Sequence, residues 1–174
     1  RCVMARTMYD WDGAPESFRE SIDHAVRRGQ DLRDEVRSHP LLSIQPAPHS
    51  LHGASTDMIQ AGVALAEDWD TPCHTHLAEE SYQRSEALEQ WGVGPAEHLH
   101  QIGGLNERTV LVHAIWLDDA EIKRIASHGA SIAHCPASNM FLGDGVTPVR
   151  RYLEHGVTVG LGTDGGCTNS RHSI

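Results

Sequence analysis

The stretch His74-Thr75-His76-Leu77-Ala78-Glu79-Glu80 sets two imidazoles at i and i+2, with a carboxylate three residues after the second. Neutral imidazole and carboxylate are the donors that a borderline divalent cation such as zinc accepts. A carboxylate beside such a cation can also carry protons as a general acid or base. On a strand, residues two apart share a face, so His74 and His76 would be presented together and either could ligate. A second pair, His98 and His100, falls inside an apparent helix. There i and i+2 diverge by about 200°, and that pair is expected to decorate a solvated helix.

Other apolar stretches end in residues of the same kind. His113 follows Thr109-Val110-Leu111-Val112, and reads equally as a satisfied core histidine or as a working one. Asp164 sits among the four glycines of GLGTDGG, residues 160–166. A buried carboxylate without a partner is costly, and a metal ion would satisfy it. His49, in APHS at 47–50, lies at another such end; its neighbour His52 is expected at the surface. His134 also lies near a strand end, with its facing left open by the alternation.

What must position these residues is a repeating pattern. Six short apolar stretches, at 1–8, 41–50, 71–80, 109–117, 130–138 and 157–165, read as strands buried on both faces. Between them, 15–38, 55–68, 81–91, 95–103, 118–129 and 146–156 read as helices. Pro15 suits a first turn, Ser55 and Thr56 suit a cap, and Asp118 with Gly129 suit the two ends of one helix. Strand and helix in alternation predict βαβ units and a parallel sheet. The polar residues cluster after the strands, where α/β barrels and doubly wound sheets bind ligands. No glycine-rich dinucleotide loop follows the first strand. The fold expected is therefore α/β, a partial (β/α)8 barrel with about six of its eight units, and no linker divides it.

Composition narrows the function. The 174 residues carry 14 Lys plus Arg against 24 Asp plus Glu, a net charge of −10. That argues against a nucleic-acid or anionic-membrane partner, both of which require basic surface. No apolar run reaches membrane-spanning length. The count of 13 histidines favours metal or acid–base chemistry. Cys2, Cys73, Cys135 and Cys167 are scattered without a CxxC pair, which fits reduced thiols in the cytoplasm.

Five segments together, HLAE at 76–79, VHAIWL at 112–117, HCPASNM at 134–140, GLGTDGG at 160–166 and APHS at 47–50, resemble the amidohydrolase superfamily. They most resemble its branch of nucleoside, nucleobase and triazine hydrolases, which includes cytosine deaminase-like, adenosine-type and guanine-type enzymes. The resemblance runs from about the third barrel strand to the end of the eighth. It implies one divalent metal, zinc or alternatively iron, held by an HxH of the first strand, a fifth-strand histidine and an eighth-strand aspartate. By this resemblance His76 and Asp164 are metal ligands, Asp164 is also a catalytic residue, and Glu79 is the catalytic proton shuttle. His113 is the catalytic histidine beside the attacking hydroxide, and His49 is a substrate contact together with Glu79 and His113. Only three strands follow His76 before Asp164, which puts His74-Thr75-His76 on the fifth strand and not on the first. His74, His134 and Asn139 receive no role.

The same resemblance shapes the remaining expectations. Two-metal relatives bridge their ions with a carboxylated fourth-strand lysine; the only lysine here, Lys123, lies in an apparent helix, which favours one metal. The unrelated zinc deaminases need H-x-E with P-C-x-x-C, and neither element fits. The chain opens without Met and inside an apparent strand, so 1–174 is expected to be part of a barrel domain. The first two strands, the paired histidines and a flanking small β domain would lie outside it, and the piece alone would be inactive. The function expected of the parent protein is a small-molecule deaminase, releasing ammonia from a purine, pyrimidine or nucleoside-like ring, in a homo-oligomer. APHSL at 47–51 and LGDG at 142–145 also resemble formiminoglutamate deiminases, and triazine hydrolysis is a further branch option. A barrel remnant with a binding or structural role is the reading from another class.

Overall fold

The computed structural model describes residues 2–168, and each of the six apolar stretches contains a strand. The chain divides into two compact units, with the division between Thr75 and His76.

In the first unit, β1 (Cys2–Met8) and β2 (Leu42–Pro48) pair in parallel, from Cys2 opposite Leu42 to Met8 opposite Pro48. The helices α1 (Ile22–Val36) and α2 (Thr56–Trp69) each pack on β2 and on one another. Ser55 caps α2 through its side chain, which accepts the Met58 N–H. Close approach rests on two glycines. A Cβ on Gly62 would lie 2.7 Å from Pro48 Cδ, and one on Gly29 would crowd the Trp69 ring at 3.2 Å. Met8, Ile44, Met58, Ile59 and Trp69 are buried there. Each such side chain contributes roughly 1.5–3 kcal/mol of transfer free energy.

Residues 15–38 do not form the single helix that Pro15 suggests. Pro15 precedes one 3-10 turn, Glu16–Phe18, after which Arg19 is extended and α1 begins only beyond the Ser21 cap. The Arg19 guanidinium bonds the Ala14 and Asp12 carbonyls and the Asp12 carboxylate. These local bonds compete with helix propagation.

The second sheet has the order β3-β4-β5-β6: β3 (Cys73–Leu77), β4 (Thr109–His113), β5 (Ser131–His134) and β6 (Val159–Leu161). β4 and β5 are parallel, with Leu111 opposite Ile132, and β5 and β6 are parallel, with Ala133 opposite Gly160. Connecting segments carry α3 (Ser81–Trp91), α4 (Pro95–Gln101), α5 (Asp119–Ser127), α6 (Pro136–Leu142) and α7 (Val149–Glu154). Asp118 and Glu121 form a reciprocal capping box at the start of α5, and Gly129 follows its end at φ +69. Leu77, Leu99, Leu111, Ile122, Ile125, Ile132 and Tyr152 make the core.

Two expectations fail in this unit. The stretch 130–138 is not all strand: β5 ends at His134, and Pro136 opens α6 at a first-turn position. Nor is His98 on a solvated face. It is 7 % exposed and stacks flat on Trp91, with ring centroids 3.9 Å apart. The cause is that α4 packs against both α3 and α5, so the short helix buries more than one face. His100, by contrast, meets His128 edge-on at 4.7 Å.

Candidate active site

Three strand ends of the second unit supply one cluster. β3 alternates buried Cys73, Thr75 and Leu77 with half-buried His74 and His76, so the two histidines do share a face. His74 is occupied locally: its Nε2 lies 2.6 Å from Gln45 Oε1. His76 stands with its ring centroid 5.3 Å from that of His113. Beyond β3 the chain turns at Ala78, φ +47, and delivers Glu79, whose N–H is held by Gln83 Oε1 at 2.9 Å. β4 ends at His113, and β6 is followed by Asp164. The potential ligand atoms of Glu79, His113 and Asp164 all lie within 4.8 Å of one another.

Backbone conformation marks the same place. Five non-glycine residues have positive φ among the described residues: Asp70, Ala78, His113, Ala114 and Asp164. Asp70 is the C-cap of α2; the other four are the cluster or its immediate neighbours. Such conformations cost of order 1–3 kcal/mol each and persist only where the surroundings enforce them. The Ala78 carbonyl accepts from the Ile115 and Trp116 N–H groups, and the Ala114 N–H donates to the Leu77 carbonyl. The buried Tyr152 hydroxyl donates to the Ala114 carbonyl at 2.7 Å. No composition or periodicity signal could have announced these turns.

The three side chains sit in different electrostatic surroundings. Burial drives the Glu79 carboxyl up to about 7; the His76 imidazole opposes this, and Asp144, Asp164 and Glu80 add to it. Glu79 Oε1 lies 3.2 Å from His113 Nε2. His113 is 1 % exposed, and burial lowers its pKa against the opposing Asn139 hydrogen bond and the Asp164 charge. Asp164 goes the other way. Burial would raise its carboxyl, but hydrogen bonds from Ser138 Oγ at 2.6 Å, the Gly165 N–H at 2.7 Å and Thr168 Oγ1 at 3.1 Å hold it below the ordinary value. One carboxyl kept ionised beside another poised near neutrality is an arrangement suited to acid–base work.

A cation fits these donors. An ionised carboxylate, a neutral imidazole and a second carboxyl converge on one small volume, and imidazole with carboxylate suits a borderline divalent ion. The described residues therefore contain a candidate metal site. His76 is not part of the convergent triple, although its ring adjoins that of His113. His49 belongs to the first unit, where it stacks on Tyr9 at 4.6 Å and its Nδ1 meets Ser50 Oγ at 3.0 Å. His134 points a buried Nδ1 at no hydrogen-bond partner among the described residues. Asn139 was left without a role by the sequence, yet it is buried and its Oδ1 lies 2.8 Å from His113 Nδ1. Ser138, Thr147 and Thr168 were not singled out at all; they come from other segments, and only folding brings them to the cluster.

The chain is similar to relatives of known name and structure. The 5-methylthioadenosine/S-adenosylhomocysteine deaminase of Pyrococcus furiosus is 34% identical over 154 residues, which is 87% of this chain and 37% of the relative. The 5'-deoxyadenosine deaminase of Methanothermobacter thermautotrophicus is 34% identical over 98% of this chain and 39% of its own length. Among solved structures, a zinc-bound adenosine deaminase from Xanthomonas campestris matches with a TM-score of 0.87 and 30% identity, over 97% of this chain and 38% of that one. A zinc-complexed atrazine chlorohydrolase from Arthrobacter aurescens matches with a TM-score of 0.92 and 27% identity, over 99% and 40%. The chain thus spans well under half the length of these relatives, and its fold is that of a partial (β/α)8 barrel. A model of the amidohydrolase family matches residues 1–174, and the chain belongs to the amidohydrolase family.

Proposed function

We propose that the protein containing this chain is a metal-dependent deaminase acting on an amino-substituted nitrogen heterocycle, with 6-aminopurine nucleosides the substrate class that its named relatives favour. The observation that carries this reading is the 3.2 Å contact of Glu79 Oε1 with His113 Nε2, with Asp164 Oδ2 at 3.9 Å from the same nitrogen. Residues 1–174 are taken as part of one larger barrel domain. His76 and Asp164 would hold the metal, zinc rather than iron, with the paired first-strand histidines completing its shell. A bound divalent ion supplies Lewis acidity and draws the pKa of water down towards neutrality.

The overall reaction is balanced simply. Water oxygen forms the new C–O bond and the C–N bond to the amine breaks. One of the water protons ends on the ring nitrogen and the other on the departing amine, which leaves as ammonia. Glu79, with a carboxyl near 7, can accept a proton at Oε1 and return it to the ring nitrogen at the same pH. His113 offers Nε2 as the neighbouring hydrogen-bond partner, and hydrogen bonds from Ser138, Gly165 and Thr168 favour the anionic form of Asp164. His49 is proposed to contact substrate. The triazine hydrolases favour a second reading, chloride release. Chloride needs no proton on departure, whereas ammonia does, and a carboxyl poised near 7 serves the latter.

The four free cysteines fit a reducing, cytoplasmic setting, and the described residues include no helix long and apolar enough to cross a membrane. A homo-oligomer is proposed on the family resemblance, with sedimentation of the intact protein as its check. The decisive experiment screens the intact protein for ammonia and chloride release against aminopurine nucleosides, aminopyrimidines, triazines and formimino compounds. Ammonia from an aminopurine nucleoside is expected. Failure on every nitrogen compound, or a gene lacking an upstream HxH, would leave the non-catalytic barrel remnant as the better reading.

A further inference from the structure

We propose that Asn139, together with Thr147, is a positioning residue that fixes Nδ1 of the His113 imidazole as a hydrogen-bond donor and thereby aims Nε2 at Glu79. Three hydrogen bonds fix the direction of every proton in this small network. The Thr147 hydroxyl lies 3.1 Å from the His113 carbonyl oxygen, which can only accept, so the hydroxyl proton is committed there. Thr147 Oγ1 must then accept from Asn139, which identifies the atom 3.2 Å away as the amide Nδ2. The amide oxygen of Asn139 therefore faces His113 Nδ1 at 2.8 Å, and an oxygen there requires Nδ1 to carry the hydrogen. In a neutral ring Nε2 is bare, and it is Nε2 that lies 3.2 Å from Glu79 Oε1.

The surroundings make this an enforced choice. Asn139 is 2 % exposed and Thr147 3 %, so solvent does not compete for the amide. The Asn139 backbone is pinned within and beyond α6: its N–H bonds the Cys135 carbonyl, and its carbonyl accepts from the Gly143 and Asp144 N–H groups. The carbonyl that orients the network belongs to His113 itself, in its left-handed conformation. The opposite tautomer would leave Nδ1 and Asn139 Oδ1 as two acceptors in contact, and would aim an N–H at Glu79.

The catalytic consequence rests on the reading of Glu79 as proton carrier given above; the tautomer itself does not. The test uses the intact, zinc-loaded protein labelled with 15N-histidine, with the His113 signals identified by their loss in His113→Gln. Long-range proton–nitrogen correlation should show His113 as Nδ1–H in the wild type. Asn139→Ala should admit the Nε2–H form. Thr147→Val should do so too, because the amide can then flip, and it preserves side-chain volume should Asn139→Ala fold poorly. Asn139→Asp keeps an acceptor opposite Nδ1 and should retain Nδ1–H. With an ammonia-releasing substrate in hand, Asn139→Ala should lower kcat about 10- to 100-fold, with KM and bound zinc little changed. An Nε2–H signal in the wild type, or Nδ1–H retained in both Asn139→Ala and Thr147→Val, would overturn the proposal. If no substrate is ever found, the spectrum still decides the tautomer, so the two failures are separable.

Discussion

Replacing Glu79 by Gln should make the metal-free protein more stable at alkaline pH while abolishing turnover. The Glu79 carboxyl rises from its ordinary 4.5 to about 7, chiefly through burial. A raised acid is bound more tightly by its proton in the folded state. Stability is thus undiminished below the unfolded value and is lost as pH climbs through the folded one. The shift corresponds to about 3 kcal/mol at full ionisation. The side chain is 21 % exposed, and solvent screening should trim the measurable penalty to about 1–2 kcal/mol. Gln cannot ionise, so Glu79→Gln should remove that penalty above neutrality and do little near about pH 5. The assay is denaturation of the chelator-treated intact protein, wild type against variant, at about pH 5 and about pH 8.5. A stability difference that does not change between those pH values would refute the assignment of Glu79 as a buried, proton-holding carboxyl.

Other outcomes follow from the same geometry. Asp164→Asn and His76→Ala should each lower bound metal, read by elemental analysis of the purified protein, whereas Glu79→Gln should retain it. Ser138→Ala removes a 2.6 Å hydrogen bond to Asp164 and should move metal release to higher pH, because the Asp164 carboxyl protonates more readily; a metal–pH titration checks this. Asp118→Ala removes the α5 capping box and should cost about 1 kcal/mol of unfolding free energy; Arg84, which pairs with both Asp118 and Glu121, would lose a partner as well. Gly62→Ala would force a Cβ to 2.7 Å from Pro48 and should cost about 1–3 kcal/mol as overpacking, measured as a lower denaturation midpoint.

What the sequence made legible is what is local. Alternation of apolar runs with capped helices located six strands, and Ser55, Asp118 and Gly129 mark helix ends as their types suggest. Glu79, His113 and Asp164, each named from its type and place, lie with their potential ligand atoms within 4.8 Å of one another, whereas His76 is outside that triple. What stayed hidden depends on contacts between distant segments. Asn139 meets His113 across 26 positions, and Thr147 meets the same residue across 34. The burial of His98 could not be read from a helix whose neighbours on both sides were unknown. The break at Arg19 arose from side-chain bonds that a helix pattern does not encode.

The backbone of the site adds a last step. Ala78, His113, Ala114 and Asp164 all hold left-handed conformations in which glycine would be free of strain. At roughly 1–3 kcal/mol apiece they are a substantial fraction of what a domain of this kind usually retains. At two of them, His113 and Asp164, the side chain belongs to the convergent cluster. The alanines beside them are a different matter. Ala78 and Ala114 are 2 % and 0 % exposed, so their methyl groups are packed, and their carbonyls anchor the turns through Ile115, Trp116 and Tyr152. A glycine at either place would relieve the strain but free the turn that aims Glu79 or follows His113. Rigidity at the ends of β3 and β4 is therefore maintained at a cost in stability. The groups it holds in register are Glu79 Oε1 and His113 Nε2, which lie 3.2 Å apart.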